Sequence, residues 1–182
     1  MHAVDQKDRH DRILRYINNS LDRERFRTFV DIKGFQTESG GTIPNDVLKT
    51  DLTPGNDKTN TLIAIETIFF LDVVIVDDHR KSLIAFELTV PLEWSVWSSN
   101  QRKLDYYESL NSNHQLDTSY EICVKPFEVT SITGILSREN KNAVRKMHKF
   151  CNPEISLATF RSEISAIAAQ EYRRIMKHWL LQ

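Results

Sequence analysis

Two acids set toward the outer ends of paired apolar runs are the residues of this chain best placed to do chemistry. Leu71–Thr89 reads LDVVIVDDHRKSLIAFELT: aliphatic runs at Val73–Val76 and Leu83–Val90, a polar DDHRK between them, and the acids Asp72 and Glu87. β-Branched and aliphatic residues bounded by a charged turn favour paired strands, so the stretch is predicted to be a β-hairpin. The midpoint of Asp72 and Glu87 falls between His79 and Arg80, and a turn centred there sets the two acids opposite one another. Opposite residues on antiparallel strands have Cβ atoms roughly 4.5–5.5 Å apart. Two carboxylates that close in an apolar sheet repel and lose hydration, and persist when a positive charge sits between them. A divalent cation is the natural candidate. Mg²⁺ takes one or two carboxylates, keeps several waters and often works on phosphates. The plainer alternative is that both acids are strand-end charges facing water.

Alternation along the second strand puts Glu87 and Thr89 on one face with Ala85, and Phe86, Leu88 and Val90 on the other. Thr89 can hydrogen-bond a water or a phosphate but brings no positive charge. Pro91 ends the strand, and Glu93–Leu110 is predicted to be a helix with Trp94, Trp97, Leu104, Tyr107 and Leu110 on its buried stripe. Lys103 lies on that helix, where its long stem either carries an ammonium to the two acids or leaves it exposed. Glu93 is either a further metal or water ligand or an acid that suits a helix N-terminus.

The run FELTVPLEWSVWSSNQRKLDYY resembles the core of the PD-(D/E)XK nuclease superfamily. More narrowly, the chain is similar to the restriction-enzyme-like endonuclease domain that accompanies the reverse transcriptases of some animal non-LTR retrotransposons. The residues that carry the likeness are Arg9-His10-Asp11, Gly40-Gly41-Thr42-Ile43-Pro44, Leu71-Asp72, Glu87-Leu88-Thr89-Val90-Pro91-Leu92-Glu93 and Lys103-Leu104-Asp105-Tyr106-Tyr107. Phe127-Glu128-Val129 and Lys146-Met147-His148-Lys149-Phe150-Cys151 add to it, so the likeness runs from about His10 to the last helix. It implies a restriction-endonuclease-like α/β fold over residues 1–182, with a mixed central sheet flanked by helices. It further implies Mg²⁺- or Mn²⁺-dependent hydrolysis of a DNA phosphodiester, with Asp72 and Glu87 as metal ligands. Lys103 and Thr89 would stand beside them, and His10, Asp11, Glu93 and Tyr107 would be accessory. The implied partners are DNA and a reverse transcriptase region or its ribonucleoprotein.

The chain departs from that pattern in places. Leu71 replaces the Pro of Pro-Asp, Thr89 stands where the superfamily has its Lys, and Tyr106 replaces the second Lys of Lys-x-x-Lys-Tyr. Residues 54–70 read as an insertion ahead of Asp72. A second reading follows from these changes: a catalytically degenerate nuclease-fold module that binds nucleic acid or protein without cutting. A nuclease acting on tRNA or on branched junctions is a third.

With 182 residues the chain suits one domain, and 40% hydrophobic with 27% charged residues is a globular rather than a disordered composition. Lys and Arg number 24 against 25 Asp and Glu, for a net charge of −1, so bulk charge gives no strong attraction to nucleic acid and leaves that task to a local basic stripe. Cys123 and Cys151 lack metal-ligand spacing and form no disulfide framework, which favours a reducing compartment, nuclear or cytoplasmic. The polar N-terminus MHAVDQKDRHDR is no signal peptide, and Leu62–Val76 is broken by Glu66 and Asp72, so no membrane insertion is expected.

These residues need positioning. Ile13, Leu14, Ile17 and Leu21 predict an amphipathic helix over His10–Leu21 with His10 and Asp11 in its first turn. A strand at Arg25–Ile32 follows, then a long loop over residues 36–60 punctuated by Gly40-Gly41 and Pro54-Gly55. A strand is predicted at Ser119–Val129, placed at an edge or bulge by Pro126, then a helix from Ser137 to about Phe150 that Asn152-Pro153 breaks. The last helix, Ser156–Leu180, carries Leu157, Phe160, Ile164, Ile167, Tyr172, Ile175 and Trp179 on its stripe, with Arg173, Arg174, Lys177 and His178 near its end.

Overall fold

The structure is a computed structural model, and it describes residues 3–32, 71–90, 120–129 and 138–180. The expected order is helix, strand, hairpin, helix, strand and two helices, and the described elements match it apart from the helix between hairpin and strand: α1 (Ala3–Ser20), β1 (Arg27–Val30), β2 (Val73–Asp77), β3 (Ser82–Thr89), β4 (Glu121–Glu128), α2 (Arg138–His148) and α3 (Leu157–Leu180). The predicted helix over 93–110, the loop over 36–60 and the segment 54–70 lie outside the described residues.

The strands form one mixed sheet in the order β1-β2-β3-β4. β1 pairs with β2 and β2 with β3, both antiparallel. β4 runs parallel to β3: Glu121 N–H donates to the Lys81 carbonyl (2.8 Å) and Val129 N–H to the Thr89 carbonyl (3.0 Å), the same sequence offset at both ends. All five residues of β2 are buried, as its unbroken aliphatic run predicts for a strand covered on both faces. On β3 burial alternates towards the end, with Phe86 and Leu88 buried and Glu87 and Thr89 half-exposed. β4, which contains Pro126, is an outer strand of the four.

Backbone contacts divide the chain into two units, each built from separated stretches. One comprises Met1–Asp22, Leu88–Lys103 and Pro126–Gln182, the other Arg23–Glu87 and Leu104–Lys125. In the first, α1 packs on α3 and α2 on α3. Ile13, Leu14 and Ile17 of α1, Val144 and Met147 of α2, and Phe160 and Ile164 of α3 are fully buried. The Phe160 ring stands 5.7 Å from Tyr16 and 5.8 Å from His148 between centroids. In the second unit the core is the hairpin: Val73–Val76, Leu83, Ala85 and Phe86, joined by Val30 and Val124. Among the described residues no helix is long and apolar enough to cross a membrane.

Two expectations need correction. α1 begins at Ala3, so His10 and Asp11 lie in its middle rather than its first turn, away from the positive end of the helix dipole. On α3 the buried line runs Phe160, Ile164, Ala168, Glu171, Ile175, while Leu157, Ile167 and Tyr172 are only half-buried. Ser156 caps α3 as its side-chain chemistry requires, its Oγ accepting from Thr159 N–H at 3.0 Å.

Candidate functional site

The site is built from the turn outwards, because the turn sets which residues face each other. Asp77 closes it: its Oδ1 accepts from the backbone N–H groups of His79 (3.1 Å) and Arg80 (3.0 Å). Lys81 takes the left-handed conformation at φ 52°, which completes the reversal. Asp78 then ties the tip to its neighbours. Arg27 of β1 grips it with Nε on Oδ2 and Nη2 on Oδ1, both at 2.7 Å, and the Tyr120 hydroxyl, next to β4, donates to Oδ1. These partners, Arg27 first and then Tyr120, hold the Asp78 carboxyl below its ordinary value of 3.8. Lys81 Nζ lies 4.9 Å from the centre of the Tyr120 ring. The polar DDHRK therefore ties the hairpin to β1 and to the residue just before β4, as well as forming a solvated tip.

With the tip fixed, so is the register. Val73 pairs with Phe86 and Asp77 with Ser82. Continued by one residue, this ladder sets Asp72 opposite Glu87 on one face of the sheet. A slip of one residue would turn Glu87 to the opposite face, so the clasp at the turn governs the acids at the far end. Asp72 precedes β2 itself and is held from the other side, where Asp31 N–H donates to its carbonyl at 2.9 Å. Asp72 is 8% exposed, and Glu87 is half-buried. Thr89, the last residue of β3, follows Glu87 by two and is half-buried.

Three residues that sequence reasoning passed over now stand out. Asp31 continues the β1–β2 register next to Asp72, so Asp31, Asp72 and Glu87 occupy one row across three strands. Arg9, quoted only as part of Arg9-His10-Asp11, is 1% exposed, and its Nη2 donates to the Val90 carbonyl (3.0 Å) where β3 ends. Glu171, buried on α3, accepts from Arg12 of α1 and from Arg174 Nε (2.8 Å).

The accessory candidates divide. His10 Nδ1 lies 3.4 Å from Asp11 Oδ1. Asp11 also lines a polar cavity of about 240 Å³ with Asp8, Arg12, Arg15 and Arg174, between α1 and α3. Arg174, proposed as part of a basic cluster, is engaged by Glu171 and by Asp8 (3.5 Å). Lys103, Glu93 and Tyr107 lie outside the described residues. Cys151 is buried, which pushes its thiol up to about 12 and leaves it protonated and unreactive at neutral pH.

For a cation the relevant pair is Asp72 and Glu87: two hard carboxylates, one nearly buried and one half-exposed. This donor set fits Mg²⁺, which needs only one or two carboxylates and fills its other positions with water. Among the described residues no group of three or more His, Cys, Asp or Glu is gathered in a metal-binding cluster. The chain matches none of the known family models and none of the curated proteins.

Proposed function

We propose that the protein is a metal-dependent DNA endonuclease that hydrolyses a phosphodiester with Asp72 and Glu87. The observation that carries the reading is the hairpin register, which sets a nearly buried acid opposite a half-exposed one in an apolar sheet. The order of the described elements and the mixed sheet support it. Asp72 and Glu87 would hold Mg²⁺ or Mn²⁺. When bound, that ion supplies a water of lowered pKa and charge stabilisation at phosphorus. Glu87 would be the more open of the two ligands and Asp72 the one whose backbone is fixed from β1 by the Asp31 N–H, while His10 or Glu93 would orient the water. Thr89 donates its hydroxyl to a phosphate oxygen, and Lys103 provides the ammonium that Thr89 lacks. By the same resemblance the cut is the target nick of a retroelement, made beside a reverse transcriptase region.

A second reading has Thr89 in its favour: with no amine two residues after Glu87, the fold binds nucleic acid or protein and does not cut. One experiment separates them. Supercoiled and branched DNA are incubated with the protein and Mg²⁺ or Mn²⁺, beside Asp72→Ala and Glu87→Ala. Cleavage abolished in both variants supports the endonuclease. Cleavage unchanged in either removes that acid from the mechanism, and binding without cleavage by the wild type supports the second reading. Preference for branched over supercoiled DNA assigns the junction substrate.

A further inference from the structure

We infer that the exposed face of α2 is a phosphate-contacting surface for duplex DNA. The chain as a whole is almost neutral, at −1, so any attraction to a polyanion must come from segregated charge. α2 segregates it. Ala143, Val144, Met147 and Phe150 are buried on one side. Lys141, Arg145, Lys146 and Lys149 are all exposed, and the first, second and fourth recur at the four-residue spacing that aligns side chains along a helix. At 100° per residue the centre of this basic arc lies almost diametrically opposite the buried arc. Lys149 keeps the row going past the last helical residue, since its N–H still donates to the Lys146 carbonyl at 3.2 Å.

The four charges are also unspent. Among the described residues none of their side chains forms an ion pair, and α2 itself contains a single acid, Glu139. The arginine on α3 treated above differs, because Arg174 is occupied by Glu171 and Asp8. Arg161 reaches across from α3 to the Lys141 carbonyl (3.4 Å), which ties the backbone of α2 down and leaves the lysine side chain outward. Lys141 to Lys149 covers about 12 Å of helix axis, over which a duplex presents about seven phosphate charges. Three of the four exposed cations are lysines, point charges on long stems, so the row suits backbone phosphates rather than base edges. Of the polyanions, duplex DNA is favoured because it is also the proposed substrate, and to that extent the inference rests on the nuclease reading.

The test measures binding apart from cutting. Fluorescence anisotropy of a short labelled duplex, without divalent cations, is followed from about 50 to 200 mM salt. The Lys141→Gln, Arg145→Gln, Lys146→Gln and Lys149→Gln variants are made singly and together. Each single change is expected to reduce the slope of log affinity against log salt by about 1, and the combined variant by about 3 to 4. Thermal midpoints should match the wild type, because the four side chains are exposed; if the combined variant melts early, the single variants carry the result. Cutting is read separately, with Mg²⁺ or Mn²⁺ added. A wild type that binds with an α2-dependent slope but never cuts overturns the nuclease reading and leaves this surface standing. A slope unchanged in the variants, no duplex binding by the wild type, or capture of phosphatidylserine vesicles in preference to duplex overturns the inference.

Discussion

The backbone N–H of Asp31 donates to the carbonyl of Asp72 at 2.9 Å, so the buried acid is gripped by β1 on one side while the hairpin positions it on the other. Asp31→Pro removes that donor, and Asp31→Ala keeps it. The proline variant is expected to nick supercoiled DNA about 10²-fold more slowly, as small misplacements of reacting groups do, with about 1 kcal/mol lost from stability in urea. The alanine variant should stay within a few-fold of the wild type. Equal damage from both would move the role from the backbone to the Asp31 carboxylate.

Thr89 and Lys103 make a paired prediction. If Lys103 supplies the ammonium that Thr89 lacks, Lys103→Ala should slow cleavage by about 10² to 10³, the usual loss of a charge-stabilising donor. Thr89→Lys restores an amine on the Glu87 face of β3 and should rescue the Lys103→Ala variant. Nicking rates for the two single variants and the double variant decide it, and a double variant as slow as Lys103→Ala alone excludes the exchange.

Glu171 joins α1 to α3 through Arg12 and Arg174. Charged hydrogen bonds to a buried carboxylate contribute about 1.5–3 kcal/mol, at the low end here because Arg12 and Arg174 are half-exposed. Glu171→Ala is expected to cost about 2 kcal/mol in chemical denaturation and Glu171→Gln somewhat less. An alanine variant as stable as the wild type would show the two arginines content in water.

Asp78 has a carboxyl pKa lowered in the folded state, chiefly by Arg27. The native state therefore binds fewer protons than the unfolded chain near the ordinary value of 3.8, so this stabilisation is whole above that pH and drains away as pH falls below it. Asp78→Asn should be less stable than the wild type at neutral pH, and the gap should close in acid. Thermal midpoints between about pH 2 and 7 read this out. A gap independent of pH would place the effect in shape rather than charge.

Cys151 is buried with its thiol pushed up to about 12, whereas Cys123 is only half-buried. Native protein should therefore label at Cys123 well before Cys151 with a thiol-specific disulfide reagent, and at both after denaturation. Above pH 9 the unfolded chain ionises this thiol while the folded chain does not, so stability should fall as pH rises, and Cys151→Ser should flatten that fall.

The hairpin was legible because three cues agree: a β-branched run, a charged turn and a second apolar run of matching length. Its register followed from the turn's position, and that register alone sets Asp72 against Glu87. The first half of α1 was not legible, since residues 3–9 carry no apolar periodicity and the helix is recognisable only from Ile13 onward. The α3 stripe misled for a related reason. Glu171 reads as a surface acid unless its partner, far away in sequence on α1, is known, and Ala168 is too small to announce burial. Asp31 gave no signal because its importance lies in a backbone hydrogen bond, which its side chain does not encode.

The parallel alignment of β3 and β4 bears on how the chain folds. Parallel neighbours cannot be joined by a tight turn, and residues 90–120 separate the end of β3 from the start of β4 in sequence. The β2–β3 hairpin closes a loop of only a few residues and should form within microseconds, while closing the long connection costs more entropy and comes later. Amide protons of Val74 and Ile75 should therefore gain protection early in refolding, and those of Glu121 and Val129 should be among the last in the sheet to do so.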